Sequence, residues 1–142
     1  MELLPNSPTS VGPAANFIGA VYVNEVYRGT GVSRMRANLV RFTPSAHTAW
    51  HCHTMGQTLH CTDGLGLVAG RDGTVIMLRP GDTVHTPPGE WHWHGAGVDC
   101  FMSHLALTEV PEDGTPAVTW GDHVTEEEYR AANEIVRPTT TD

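Results

Sequence analysis

Positive charge is what this sequence has least of. Eight basic residues stand against sixteen acidic ones, a net charge of −8 with histidine neutral. Nucleic-acid binding needs a basic footprint, so that partner class is excluded and a well-solvated chain is expected. No apolar run approaches the ~20 residues of a membrane-spanning helix, and no membrane partner is expected. The opening Met1-Glu2-Leu3-Leu4-Pro5-Asn6 has no basic stretch ahead of an apolar one, so a secretory signal is not expected. Cysteine is scarce too: three residues, an odd number, with no C-x-x-C pairing. That usage points to a reducing cytoplasm, with Cys52 and Cys61 as small apolar core residues. At 142 residues the chain is long enough for one domain around a single core.

Histidine, by contrast, is abundant. Nine are present, most of them between His47 and His104. His51-Cys52-His53 places two imidazoles on one face if the backbone is extended, because residues i and i+2 of a strand point the same way. A turn at Met55-Gly56 then brings in Gln57. His92-Trp93-His94 repeats the pattern after Pro87-Pro88-Gly89. A lone histidine is usually a packed or surface residue, but two such pairs set against turn residues read as a metal site. His51, His53 and His92 are the expected ligands. For a fourth there are two rivals, Gln57 and His104.

Short strands dominate the rest. Residues 1–15 read as an irregular arm, or a strand laid on a partner, and 17–23 as a strand. Gly29 and Gly31 make 26–32 a loop or edge. Along 35–42 the side chains of Arg36, Asn38, Val40 and Phe42 share a face. Asp72-Gly73 marks a hairpin, since this pair tolerates the positive φ of tight turns. Residues 100–108 form the last clear strand, with Met102, His104, Ala106 and Thr108 on one face, and 110–119 read as a polar connection. Thr125 and Glu128 form a capping box that opens a short helix to about Glu134. A tail follows from Pro138. Evenly spaced strands with turns between them predict an all-β sandwich or barrel with a short C-terminal helix, in one domain, 1–142.

The two histidine segments resemble the signature motifs of the cupin superfamily. The first motif is H-x-H, a short gap, an acidic position, and then a glycine; here it reads His51, His53, Gln57, Gly64. The second reads Gly81, Pro87, Gly89 and His92, with Ala96 where the motif has Asn. Gln57 stands where the motif has Glu. The resemblance implies a double-stranded β-helix, that is, a jelly roll with its site in the barrel mouth, and one divalent metal per chain.

A neutral Gln57 leaves the ion its full charge, which suits Lewis-acid work over redox chemistry. Zinc is therefore the first choice, with manganese, nickel or ferrous iron as alternatives. His94 is a candidate to orient His92. Arg36, Asn38, Thr48, Trp50 and Thr108 are candidates to hold substrate. The wider pattern, including Ser103-His104-Leu105-Ala106, resembles a group of small single-domain cupins. That group includes hydroxynitrile lyases, in which the position of His104 acts as base, and polyketide cyclases of the resistomycin type. It implies a homodimer acting on a small molecule, in the cytoplasm that the cysteine usage points to. The first expectation is a non-redox polyketide cyclase in bacterial aromatic polyketide biosynthesis, an antibiotic-type pathway. It would use His104 as catalytic proton carrier in an intramolecular aldol condensation. A cyanohydrin C–C lyase, a dioxygenase and a non-catalytic metal-bearing binding module are the alternatives.

Overall fold

Apolar–polar alternation, cut by glycine and proline turns, gives thirteen strands and one helix in a computed structural model that describes residues 1–137. The expected tail, 138–142, lies outside the described residues. The first strands are β1 (Ser10–Val11), β2 (Phe17–Ile18), β3 (Val21–Arg28) and β4 (Met35–Phe42). Next come β5 (His47–Thr48), β6 (His51–His53) and β7 (Gln57–Gly64). Then follow β8 (Gly66–Gly70), β9 (Val75–Leu78), β10 (Thr83–Thr86), β11 (His92–Ala96), β12 (Met102–Glu109) and β13 (Val118–Trp120). The last element is α1 (Glu126–Val136).

Two antiparallel sheets face each other. One has the order β1-β3-β4-β12-β7-β10, the other β13-β6-β11-β5-β2, with β8 paired to β11 and β9 to β8. Phe42, Leu59, Cys61 and Met102 from the first sheet meet Val68, Leu78 and Ala96 from the second in the inner core. A fully buried Phe or Leu contributes ~1.5–3 kcal/mol, so this layer clamps the sheets together. Trp93, Leu67 and Ala69 belong to a second cluster, which Val124, Tyr129 and Ala132 complete from the helix side. Helix α1 starts where expected. The Thr125 hydroxyl accepts from the Glu128 amide at 3.1 Å, and the Glu128 carboxylate accepts from the Thr125 amide at 2.8 Å.

Four local expectations change. The segment 17–23 is not one strand: Gly19 takes a φ of 79°, and the chain passes there from the second sheet to the first. A side chain at Gly19 would come within 2.9 Å of the Ala46 Cβ. Strand β3 runs on to Arg28, absorbing a bulge between Glu25 and Tyr27, so the glycines break only the loop beyond it. The stretch read as a polar connection holds the start of β13, which pairs with β6. Ser10–Val11 of the arm pairs with β3 of the same chain.

Register across β7, β12, β4 and β3 sorts the barrel into rows. Gln57, Thr108, Arg36 and Arg28 form the row at the mouth; Leu59, Ala106, Asn38 and Glu25 the next; Cys61, His104, Val40 and Val23 the third. Polar groups therefore crowd one end, and in the third row of this sheet His104 stands among Cys61, Val40 and Val23.

Candidate metal centre

Strand β6 puts His51 and His53 on one face, and β11 pairs with it so that His92 stands opposite His51. Ligand nitrogens of these three lie within 4.8 Å of one another. For two of them the second nitrogen is fixed by backbone. His51 Nδ1 donates to the Ala49 carbonyl at 2.9 Å, and His92 Nδ1 to the Glu90 carbonyl at 2.9 Å. Both rings thus turn the Nε2 lone pair inward. His53 Nε2 is buried with no hydrogen-bond partner in the protein.

Gln57 arrives from the other sheet. Between His53 and Gln57 the chain crosses the barrel through Gly56, whose φ of 80° favours glycine, and where a Cβ would sit 2.9 Å from the Thr86 carbonyl oxygen. The Gln57 amide oxygen then lies 3.0 Å from His92 Nε2. With Nδ1 already donating, that nitrogen is an acceptor, as is the amide oxygen. A cation between them would satisfy both lone pairs at once. The donor set of three imidazoles and an amide oxygen therefore fits a divalent metal of borderline softness.

Electrostatics favours the same state. Burial, reinforced by the neighbouring His92, pushes the His51 pKa down to about 3 and that of His53 to about 4. Burial also lowers His92. All three are neutral at physiological pH, as metal ligands must be.

His104 stands apart from the three. It is fully buried, and its Nε2 lies 3.0 Å from His94 Nδ1. The His94 ring is 5.2 Å from that of His51 and 4.8 Å from that of His104. His94 therefore bridges the triad and His104, while the orientation of His92 comes from the Glu90 carbonyl. Of the two rivals for a fourth ligand, the structure brings Gln57 to the triad. Neither His94 Nε2 nor His104 Nδ1 has a protein partner. Whichever way the shared proton lies, one buried N–H is left over, at a cost of about 1–3 kcal/mol unless a ligand accepts it. Burial lowers His104 to about 4 and His94 well below its ordinary value. Phe42 walls this pair, its ring 5.3 Å from His104 and 5.7 Å from His94.

A cleft of about 310 Å³ opens above His53 and Gln57, with Arg36, Asn38 and Thr108 on one wall. Thr48 and Trp50, the other residues expected to hold substrate, lie elsewhere. Thr48 is buried, and its hydroxyl accepts from the His94 amide at 3.2 Å. Trp50 donates toward Glu128 at 3.3 Å on the helix side. Reading the sequence missed Trp120, whose ring lies 4.7 Å from that of His51, and Ala117 and Val118, which line the cleft. The alternation of Val118 and Trp120 was the available signal.

Comparison with known proteins adds relatives. A family profile described as a cupin domain matches residues 38–99. An (R)-mandelonitrile lyase from Granulicella tundricola is 44% identical over 119 residues, 84% of this chain and 89% of that protein. A cupin-like protein from Thermotoga maritima superposes with a TM-score of 0.82 at 35% identity, covering 94% of this chain and 98% of its own. The polyketide cyclase RemF from Streptomyces resistomycificus gives a TM-score of 0.61 at 19% identity, over 78% of this chain and 76% of its own, a likeness of fold.

Proposed function

This chain belongs to the cupin superfamily, and on that premise we propose that it is a metal-dependent C–C lyase of the hydroxynitrile type. The reaction is the splitting of a cyanohydrin into a carbonyl compound and hydrogen cyanide. One observation carries the reading: a neutral four-donor cluster lies beside a second pair of neutral, hydrogen-bonded imidazoles, His94 and His104. The lyase relative at 44% identity supports the choice of reaction. It moves this reading ahead of the polyketide cyclase, for which the likeness is one of fold. The cleft supports it too, since about 310 Å³ is at the small end of ligand pockets and suits a one-ring substrate better than a long poly-β-ketone.

His51, His53, His92 and Gln57 would hold the ion, zinc by first choice, with manganese, nickel and ferrous iron as alternatives. When bound it supplies Lewis acidity, lowering the pKa of a substrate hydroxyl. The hydroxyl proton passes to the free nitrogen of the His94–His104 pair, with His104 as the proton carrier. The bond between the carbinol carbon and the nitrile carbon breaks, its electron pair leaving on cyanide, and the C=O double bond forms. The proton then moves from the imidazole pair to cyanide. Phe42 and the apolar interior keep water from competing for that proton.

The chain has no lysine among its 142 residues. A Schiff-base route to C–C cleavage through a lysine amine is therefore closed to it. The direct test is release of benzaldehyde and cyanide from each enantiomer of mandelonitrile by zinc-loaded protein. Turnover that disappears in His51→Ala/His53→Ala supports the reading. Absence of cleavage by metal-saturated protein sinks it.

A further inference from the structure

The mouth of the cleft carries a charge that the interior lacks. We propose that the site selects a substrate with an anionic group, a carboxylate, which Arg36 holds while the reacting carbon sits at the histidine cluster. This deepens the lyase reading and rests on it for the reaction itself.

The placement follows from register. Gln57, Thr108 and Arg36 occupy one row on adjacent strands β7, β12 and β4. Strands lie about 4.8 Å apart, so Arg36 stands two spacings, about 10 Å, from Gln57 along the cleft wall. A benzene ring with substituents at opposite ends spans that range. Asn38 lies in the row beneath and also lines the cleft. Val110, Ala117 and Val118 supply an apolar surface on the cleft for the body of such a molecule.

The charges point the same way. Arg28 donates through Nε and Nη2 to the Glu25 carboxylate at 2.9 and 2.7 Å, so these two neutralise each other. Arg36 is held differently. Its Nη1 donates to the carbonyls of Gly29 and Met35 at 3.1 and 3.0 Å, contacts that orient the guanidinium without cancelling its charge. Among the described residues no carboxylate lies within 4.0 Å of Arg36; the ion pairs are Arg28–Glu25, Arg34–Glu112 and Arg130–Glu126. A half-buried guanidinium whose Nε and Nη2 make no hydrogen bond among the described residues presents the fork that a carboxylate matches in two parallel hydrogen bonds. Glu25 also lines the cleft and lies in the field of Arg36, so Arg28, Arg36 and Glu25 together leave one net positive charge there. In a chain of net charge −8, that charge biases which ligands are drawn in.

The test compares 4-formylbenzoate with benzaldehyde, and their two cyanohydrins, on zinc-loaded wild type and on Arg36→Gln. Calorimetric binding of the aldehydes needs no turnover. The carboxylate should tighten binding to wild type by about tenfold to a hundredfold. The advantage should vanish in Arg36→Gln and shrink in high salt. Equal or weaker binding of 4-formylbenzoate by wild type overturns the proposal whether or not the variant folds. If 4-formylbenzoate binds preferentially but neither cyanohydrin is cleaved, the anion subsite stands and the lyase reading falls. If both cyanohydrins are cleaved with equal kcat/KM and both aldehydes bind alike, the lyase reading stands and the subsite falls.

Discussion

Gln57 and His92 meet across the barrel from opposite sheets, an amide oxygen 3.0 Å from an imidazole nitrogen that has no proton to offer it. The pair makes sense around a cation and predicts what removal of either partner does. Gln57→Ala should weaken divalent-metal binding, measured by competition with a chromophoric chelator, while His104→Ala should leave it nearly unchanged. Loss of metal in His104→Ala with retention in Gln57→Ala would reverse the two roles.

The histidine triad should hold about one divalent ion per chain. Elemental analysis of His51→Ala/His53→Ala, with circular dichroism to show that the sheets persist, should find the metal gone. A double variant that keeps its metal would remove the site from β6.

Turnover should depend on His104 more steeply than metal binding does. A general acid–base group contributes ~10²–10⁴-fold, so His104→Ala should lower kcat by that order. Full activity in the metal-loaded variant would make His104 a packing residue only.

Acid should unfold the metal-free protein early. His51 titrates at about 3 and His53 and His104 at about 4 in the folded state, against about 6.5 unfolded. The folded pKa values are depressed, so the unfolded chain binds more protons, and stability falls as pH drops. The loss should begin near pH 6.5 and run to about 4 for His53 and His104 and to about 3 for His51, at up to roughly 1.4 kcal/mol per pH unit for each histidine. Urea midpoints across this range measure it; a flat profile would mean that these rings are charged or exposed.

Gly56→Ala should cost about 1–3 kcal/mol, read from thermal unfolding. The φ of 80° at Gly56 opposes a side chain, and so does the Thr86 oxygen, which an added Cβ would meet at 2.9 Å. A variant as stable as the wild type would mean that the crossing to Gln57 is not built on this turn.

The triad was legible because its geometry is local: an extended H-x-H needs only strand periodicity, and glycine with proline marks where each segment starts. The capping box at Thr125 was legible for the same reason. His104 could be placed on an inward face from its neighbours Met102 and Ala106, but its bond to His94 joins two strands, and no single-strand pattern reveals it. Trp50 and Thr48 show the same limit. Both flank the motif, yet one faces the helix and the other the backbone of β11. Trp120 over His51 depends on the pairing of β13 with β6, far apart in the chain. Likewise 17–23 reads as one strand in the sequence, and nothing local marks Gly19 as the point where the chain changes sheets.

The crossing at Gly56 also has a kinetic meaning. It divides the donors between two sheets, and His92 joins them only when β11 has paired with β6. Such pairings between distant segments form late in folding, because the loop must close before any contact rewards it. The ion would therefore bind a barrel already assembled and could not nucleate one. Metal should leave the refolding rate nearly untouched and slow unfolding, acting as a latch on a finished structure.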